Sequence, residues 1–218
     1  MKITWYGHAA FNITTEKGTK IIIDPYEPGS FNGALSYGKI KDEADIVITS
    51  HDHADHNYLK TIPGKYLHVS KAGEYKIKDV AIKTIPTFHD PAEGKERGRN
   101  LISVIASSGL SLVHLGDIGH SLSAELLGKI GKVDILLLPV GGVYTINATE
   151  ALAVMKAIKP SVTIPMHYKT EKCGFPIAPV ENFTSNQKNV RVLKESAVTI
   201  SSDSLPKEME IIVLQHAL

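Results

Sequence analysis

The chain opens with short apolar stretches separated by turn residues. Residues 2–6, 10–15 and 20–24 are rich in β-branched and aromatic side chains, and Lys17-Gly18-Thr19 separates the last two. That pattern predicts an antiparallel meander. A loop carrying Pro25, Pro28, Gly29, Gly33 and Gly38 follows. Residues 45–50 (Asp-Ile-Val-Ile-Thr-Ser) are apolar on both faces through their middle, as expected of a strand covered on both sides. Further strands are predicted over 66–70, 80–86, 101–106 and 110–115, the last two joined by a hairpin turn at Ser107-Ser108-Gly109.

After Gly116-Asp117 the pattern changes to helix alternating with strand. Residues 121–129 and 147–159 place apolar side chains at helical spacing; Asn147 or Thr149 can cap the second, with Glu150 in its first turn. Residues 133–139 and 161–165 read as buried strands, 179–187 as a helix, and 190–200 and 208–214 as closing strands. No repeat, low-complexity tract or linker interrupts this order, which predicts one domain over residues 1–218. Strands that need cover on both faces, with few helices to supply it, predict an α/β chain of two packed sheets with helices outside.

Composition narrows the function classes. A length of 218 residues with 43% hydrophobic side chains can bury a substantial core, which excludes a disordered chain. Lys and Arg number 24 against 23 Asp and Glu, so the net charge of +1 supplies no general field for nucleic acid or an anionic membrane. The N-terminus has no apolar stretch of signal-peptide length. The longest apolar run, 135–143, is broken by Pro139 and two glycines and is too short to span a bilayer, so a cytoplasmic protein without membrane association is expected. Cys173 is the only cysteine, which rules out an internal disulfide and fits a reducing compartment.

The ten histidines change the picture most. Three of them fall in His51-Asp52-His53-Ala54-Asp55-His56, directly after the buried strand at 45–50. In an extended loop His51 and His53 lie on one side, and Asp55 and His56 can face a second point nearby, so the segment offers ligands to two adjacent cations. Imidazole and carboxylate suit zinc and related first-row ions, and the lack of thiolates excludes cysteine-type sites. Two ions need more ligands than this segment holds. His89, Asp117 and His167 each sit just past an apolar run, and they complete a set if those strand ends converge.

The His-x-His-x-Asp-His motif, the later His89, Gly116-Asp117 and Pro165-Met166-His167 together resemble the metallo-β-lactamase-fold hydrolase superfamily over nearly the whole chain. The resemblance implies a four-layer αββα sandwich, with His51, His53 and His89 on one metal, Asp55, His56 and His167 on the other, and Asp117 bridging. Within that superfamily, Gly7-His8-Ala9, Phe88-His89-Asp90, Arg97-Gly98-Arg99-Asn100 and Pro139-Val140-Gly141-Gly142 are similar to the branch related to L-ascorbate-6-phosphate lactonase. His53 stands where redox di-iron members carry a glutamate, which argues against an oxidoreductase.

A metal-bridging hydroxide is then the expected nucleophile for an ester, lactone, amide or phosphoester bond, with Asp55 orienting it. Zinc is the expected pair of ions, with manganese or iron also compatible. His8 is expected to act behind the ligands or on the substrate. His114 shares a strand face with Leu110 and Leu112 and reads as a core residue, with a bond behind the metal site as its alternative; His120 could line the cleft or cap a helix. His68 and His216 read as structural or surface residues.

Arg97 and Arg99 flank a glycine in a loop following His89, where either guanidinium could hold an anionic substrate group, and Tyr144 follows a glycine pair that could face the cleft. The expected partner is a small anionic metabolite; the oligomeric state stays open. A nuclease or phosphodiesterase would use the same chemistry, but the chain has neither an added arm nor a basic block for nucleic acid. A non-catalytic metal-binding protein is the third reading, opposed by the intact set of seven ligands.

Overall fold

A computed structural model describes all 218 residues. The strands, in chain order, are β1 (Lys2–Gly7), β2 (Ala10–Thr14), β3 (Lys20–Ile23), β4 (Ile46–Ile48), β5 (Leu67–Val69), β6 (Gly73–Ile77), β7 (Val80–Phe88), β8 (Arg99–Ser107), β9 (Leu110–His114), β10 (Ile135–Pro139), β11 (Val162–Met166), β12 (Val190–Val192), β13 (Ala197–Thr199) and β14 (Glu210–Val213). Helical segments are the single turn α1 (Ser30–Gly33), α2 (Ala124–Ile130), α3 (Ala148–Ile158), α4 (Glu181–Thr184) and a 3-10 turn at Ser202–Ser204.

Two sheets form, in the orders β13-β1-β2-β3-β4-β5 and β12-β14-β11-β10-β9-β8-β7-β6. Alternation explains their stacking. In β3 and β4, Ile21, Ile23, Ile46 and Ile48 point into the core between the sheets, while Ile22 and Val47 point the other way into a second apolar cluster. The second sheet's outer face is covered by helix: α3 buries Ala151, Val154 and Met155 in the main core. The first sheet's outer face is covered mostly by loop, through Tyr26, Leu35, Tyr37 and Ile40 with Phe175 and Ile177. This is the two-sheet sandwich expected from the sequence, with loop in place of a helical layer over the first sheet.

Local chemistry accounts for most element ends. Asn147 caps α3, accepting from the backbone N–H groups of Thr149 and Glu150 at 2.9 and 3.1 Å, while Glu150 accepts from Asn147 N–H at 2.8 Å. The β8–β9 turn has positive φ at Ser108 and Gly109, the geometry that matches strand twist in a two-residue hairpin. Four elements differ from the sequence reading. Residues 190–200 make two strands, because the chain leaves the second sheet at Val192 and joins the first at Ala197. β6 pairs with β7 where no strand was predicted, its half-buried alternation being too weak to stand out. The helix expected from 121 begins at Ala124, where the Ser123 hydroxyl accepts from Leu126 N–H. The helix expected over 179–187 is the short α4.

Strand direction positions the site. β1 and β3 are each antiparallel to β2, and β4 is parallel to β3; in the second sheet β7 and β9 are each antiparallel to β8, and β10 and β11 are parallel to β9. Within each sheet these strands therefore end at one edge, and the side chains just past their ends meet.

Candidate metal centre

The residues that meet are His8 after β1, Asp24 after β3, His51 to His56 after β4, His89 after β7, Asp117 after β9 and His167 after β11. The Asp117 carboxylate is the hub: its Oδ2 lies 3.1 Å from His56 Nε2, 3.3 Å from His89 Nε2 and 3.2 Å from His167 Nε2. Ligand-capable atoms fall into three groups, His51/His53/His89, His51/His56/Asp117 and His8/Asp55/His56/His167, with all such atoms of a group within 4.8 Å of one another. All seven residues expected from sequence as ligands fall within these groups, and His8 joins one of them.

The donor set fits divalent ions. His51 Nε2, His56 Nε2 and Asp117 Oδ1 are buried without a hydrogen-bond partner. Orphaned buried atoms of this kind are costly unless something binds them.

Tautomers follow from the carboxylates. Burial works against ionising Asp24, but the hydrogen bond and charge of His56 override it and hold its pKa below the usual range. An ionised carboxylate carries no proton, so His56 Nδ1–H must donate to Asp24 Oδ2 at 2.9 Å, which turns Nε2 toward Asp117. The Ser50 hydroxyl also donates to Asp24, at 2.6 Å, and so accepts from His51 Nδ1–H at 2.8 Å, leaving His51 Nε2 with its lone pair. One buried aspartate thus orients two histidines. The sequence reading does not single it out, although it follows an Ile-Ile-Ile run just as the other site residues follow theirs.

The field at the centre calls for a positive charge. Burial lowers the basicity of His56, yet Asp117 and Asp55 outweigh it and raise its pKa well above the ordinary value. Burial likewise opposes ionisation of Asp117, and His167 and His56 override it and hold the carboxyl well below its usual range. His51, with burial dominant, is pushed down to about 3, and His8 down to about 4 by burial and by neighbouring His167. His8 is fully buried and its Nε2 lies 3.1 Å from Asp55 Oδ2; Asp55 is itself held ionised by His56 and His8 against the cost of burial, so Nε2–H is the donor.

Asn100 fixes the backbone at the hub. Its side-chain oxygen accepts from Asp117 N–H at 3.0 Å, and its amide donates to Thr87 Oγ1 and Leu115 O, both at 2.9 Å. The other histidines are used elsewhere. His114 is saturated by backbone, bonded to Ala9 O at 2.9 Å and accepting from Gly116 N–H at 3.0 Å, as a core residue should be. His120 bonds Ser121 O at 2.8 Å, His68 pairs with Thr49 at 2.9 Å and His216 with Glu171 at 2.5 Å. Cys173 is buried, and burial raises its thiol pKa.

The centre opens into a cleft of about 470 Å³ lined by Asp55, His89, Asp117 and His167, and by Phe31, Arg97, Tyr144 and Phe175. Of the substrate-binding residues expected from sequence, Arg97 and Tyr144 reach this cleft, while Arg99 lines an adjoining one. Phe31 and Phe175 carry no signal in the sequence; Phe175 arrives through a loop after β11 that packs on the first sheet.

Comparison with known proteins places this architecture. Residues 2–167 match the beta-lactamase superfamily domain. A UPF0173 metal-dependent hydrolase of Archaeoglobus fulgidus is 30% identical, the alignment covering 78% of this chain and 84% of the relative; one from Carboxydothermus hydrogenoformans is 31% identical over 78% and 85%. A crystal structure from Thermotoga maritima, assigned by its name to the Zn-dependent hydrolases of the metallo-beta-lactamase superfamily, superposes with a TM-score of 0.81 at 34% identity, covering 98% of this chain and 97% of the other.

Proposed function

This chain belongs to the metallo-β-lactamase superfamily, among the UPF0173 metal-dependent hydrolases, and from that membership we propose that it hydrolyses an ester, lactone or phosphoester of a small anionic metabolite using two divalent ions, zinc first. The observation that carries the reading is that Asp117 Oδ2 reaches both outer groups, His89 of one and His56 and His167 of the other, with the buried Nε2 atoms of His51 and His56 left free to bind. His51, His53 and His89 would hold one ion, Asp55, His56 and His167 the other, with Asp117 between them. When bound, such ions would lower the pKa of a coordinated water to about 7 and polarise the substrate's carbonyl or phosphoryl oxygen.

The chain's own groups do the rest. Asp24 and Ser50 keep the lone pairs of His56 and His51 facing inward. Asp55, oriented by His8 Nε2–H, offers a carboxylate oxygen to position the attacking water. Arg97 at the cleft rim can pair with an anionic group of the substrate. The likeness of the Gly7-His8-Ala9 and Arg97-Gly98-Arg99-Asn100 segments to the ascorbate-6-phosphate lactonase branch makes lactones the first substrates to assay. Elemental analysis should find two ions per chain, and chelation should abolish hydrolysis reversibly. Activity that persists after exhaustive chelation would refute the proposal.

A further inference from the structure

Two clefts of different chemistry meet at the metal centre. The first, of about 470 Å³, has an aromatic wall of Phe31, Tyr144 and Phe175. The second, of about 500 Å³, runs from His51 and His53 past Lys71, Arg97 and Arg99. Asp52, His53 and Arg97 belong to both, so the two clefts join beside His53.

The two walls stand at opposite ends of the centre. The Phe175 ring lies 5.7 Å from His8, 5.6 Å from Tyr144 and 5.2 Å from Phe31, each edge to face. The aromatic wall therefore borders the His8/His167 end. The arginine loop borders the other end, where His89 N–H donates to Gly98 O at 3.0 Å.

Both walls are built structures. The buried Asp90 carboxylate accepts from four backbone N–H groups, those of Ala92, Gly94, Glu96 and Arg97, at 2.8, 3.0, 3.2 and 2.8 Å, which pins the loop that presents Arg97. The Arg97 guanidinium has a single long ion-pair contact, 3.5 Å to the exposed Glu96, so most of its donors stay available. Asp52, the acid that lines both clefts, accepts from the Asn57 amide at 2.8 Å. On the other wall Phe31 is 49% exposed and sits at φ 53°, followed by Asn32 at φ 56°. A large apolar side chain held half in solvent on left-handed backbone gains little from burial and carries strain, a pattern that belongs to binding sites.

We propose, on the premise of the metal-hydrolase reading above, that the substrate is an amphipathic anion. Its apolar, planar part lies on the Phe31–Tyr144–Phe175 wall, and its carboxylate or phosphate pairs with Arg97 at the far end. Anchors at opposite ends hold the scissile group across the histidines between them. A sugar phosphate without an apolar face would leave the aromatic wall unused, and a neutral aryl ester would leave Arg97 unused.

The test uses γ-lactones that are unsubstituted, phenyl-bearing, anion-bearing, or both, with the anion supplied as carboxylate in one series and phosphate in another. Matching pyrrolidinones, unreactive isosteres, report binding by calorimetry. The metal-loaded wild type, Phe31→Asn and Arg97→Met are compared, with metal content and melting temperature recorded for each. Asn tolerates left-handed backbone, which keeps the first variant folded.

Ligands bearing both groups should bind at least about tenfold tighter than those with one. Phe31→Asn should cost about threefold to tenfold more on phenyl-bearing ligands than on those lacking the ring. Arg97→Met should cost about tenfold to a hundredfold more on anionic ligands than on neutral ones. The series that responds more strongly to Arg97→Met identifies carboxylate or phosphate as the anion. Losses that ignore the ligand's ring and charge, or no gain from combining the two groups, would overturn the proposal. Selective binding of the pyrrolidinones with no lactone hydrolysed would uphold it and refute the choice of bond.

Discussion

Replacing Asp24 by Asn should loosen both metal positions at once. Asp24 accepts from Ser50 N–H at 2.7 Å, the Ser50 hydroxyl at 2.6 Å and His56 Nδ1–H at 2.9 Å, all inside the protein. The isosteric amide keeps one acceptor oxygen, loses the charge and turns two N–H donors toward groups that are themselves donors. Bonds to a charged acceptor are worth about 1.5–3 kcal/mol each, and breaking a buried charged pair costs about 3–5 kcal/mol, so the metal-free variant should lose stability in that range. Loss of a group that orients a metal ligand weakens metal affinity about tenfold to a hundredfold, or about 1.4–2.8 kcal/mol.

The chain Asp24–Ser50–His51 allows dissection. Ser50→Ala removes the acceptor of His51 Nδ1–H at 2.8 Å but leaves the Asp24–His56 bond, so it should weaken the position that His51 serves and largely spare the other. Stepwise affinities come from competition with a chromophoric chelator, at low temperature so that the variants stay folded, beside thermal melts of the metal-free proteins. Wild-type affinity for both ions in Asp24→Asn would refute the argument. So would a Ser50→Ala protein that loses both ions as fully as Asp24→Asn.

Two further outcomes are expected. His89→Ala should lower metal content at one position, because His89 Nε2 stands 3.3 Å from the Asp117 hub, whereas His68→Ala should leave both filled, since His68 bonds Thr49 at 2.9 Å away from the centre; elemental analysis of the two variants decides. The Asp79 carboxyl is pulled down to about 2, chiefly by the Thr19 hydroxyl and helped by Ser107, so its stabilising effect is complete above the ordinary carboxylate pKa of about 4 and fades as pH falls through about 2. The melting-temperature gap between wild type and Asp79→Asn should therefore hold steady at neutral pH and close in acid, and a gap undiminished at about pH 2 would contradict this.

How legible the molecule is from its sequence depends on the range of the interaction concerned. The buried strand at 45–50 and the motif after it were readable because period and chemistry coincide within a dozen residues. His89, Asp117 and His167 were readable one level up, as polar residues that end apolar runs. Asp24 obeys that same rule, and was missed because a single carboxylate before Pro25 looks like an ordinary turn residue. Phe31 and Phe175 follow no local rule: they meet at 5.2 Å across 144 residues of chain, a contact fixed by how two loops cover the first sheet. The switch of 190–200 between sheets was unreadable for a similar reason, since a stretch of strand-forming residues does not record which sheet each half joins.

The backbone at the centre explains why its side chains can sit so close to strand ends. His8, Asp24 and His167 have φ of 53°, 46° and 51°, the left-handed region that costs a non-glycine residue about 1–3 kcal/mol. A strand that simply continued would alternate its side chains between the sheet's two faces. One left-handed residue immediately after the last strand pair swings the side chain off the sheet edge instead. Glycine would relieve the strain, but it has no imidazole or carboxylate to offer. The neighbouring positions use glycine for a different purpose: a Cβ on Gly116 would strike the Asn100 side-chain oxygen that accepts from Asp117 N–H, and one on Gly119 would strike the carbonyl of His89. Strained site residues and bare neighbours belong to one solution. The rigid core between the sheets holds left-handed residues that would relax in a looser chain, and glycine lets the loops close around them without displacing a donor atom.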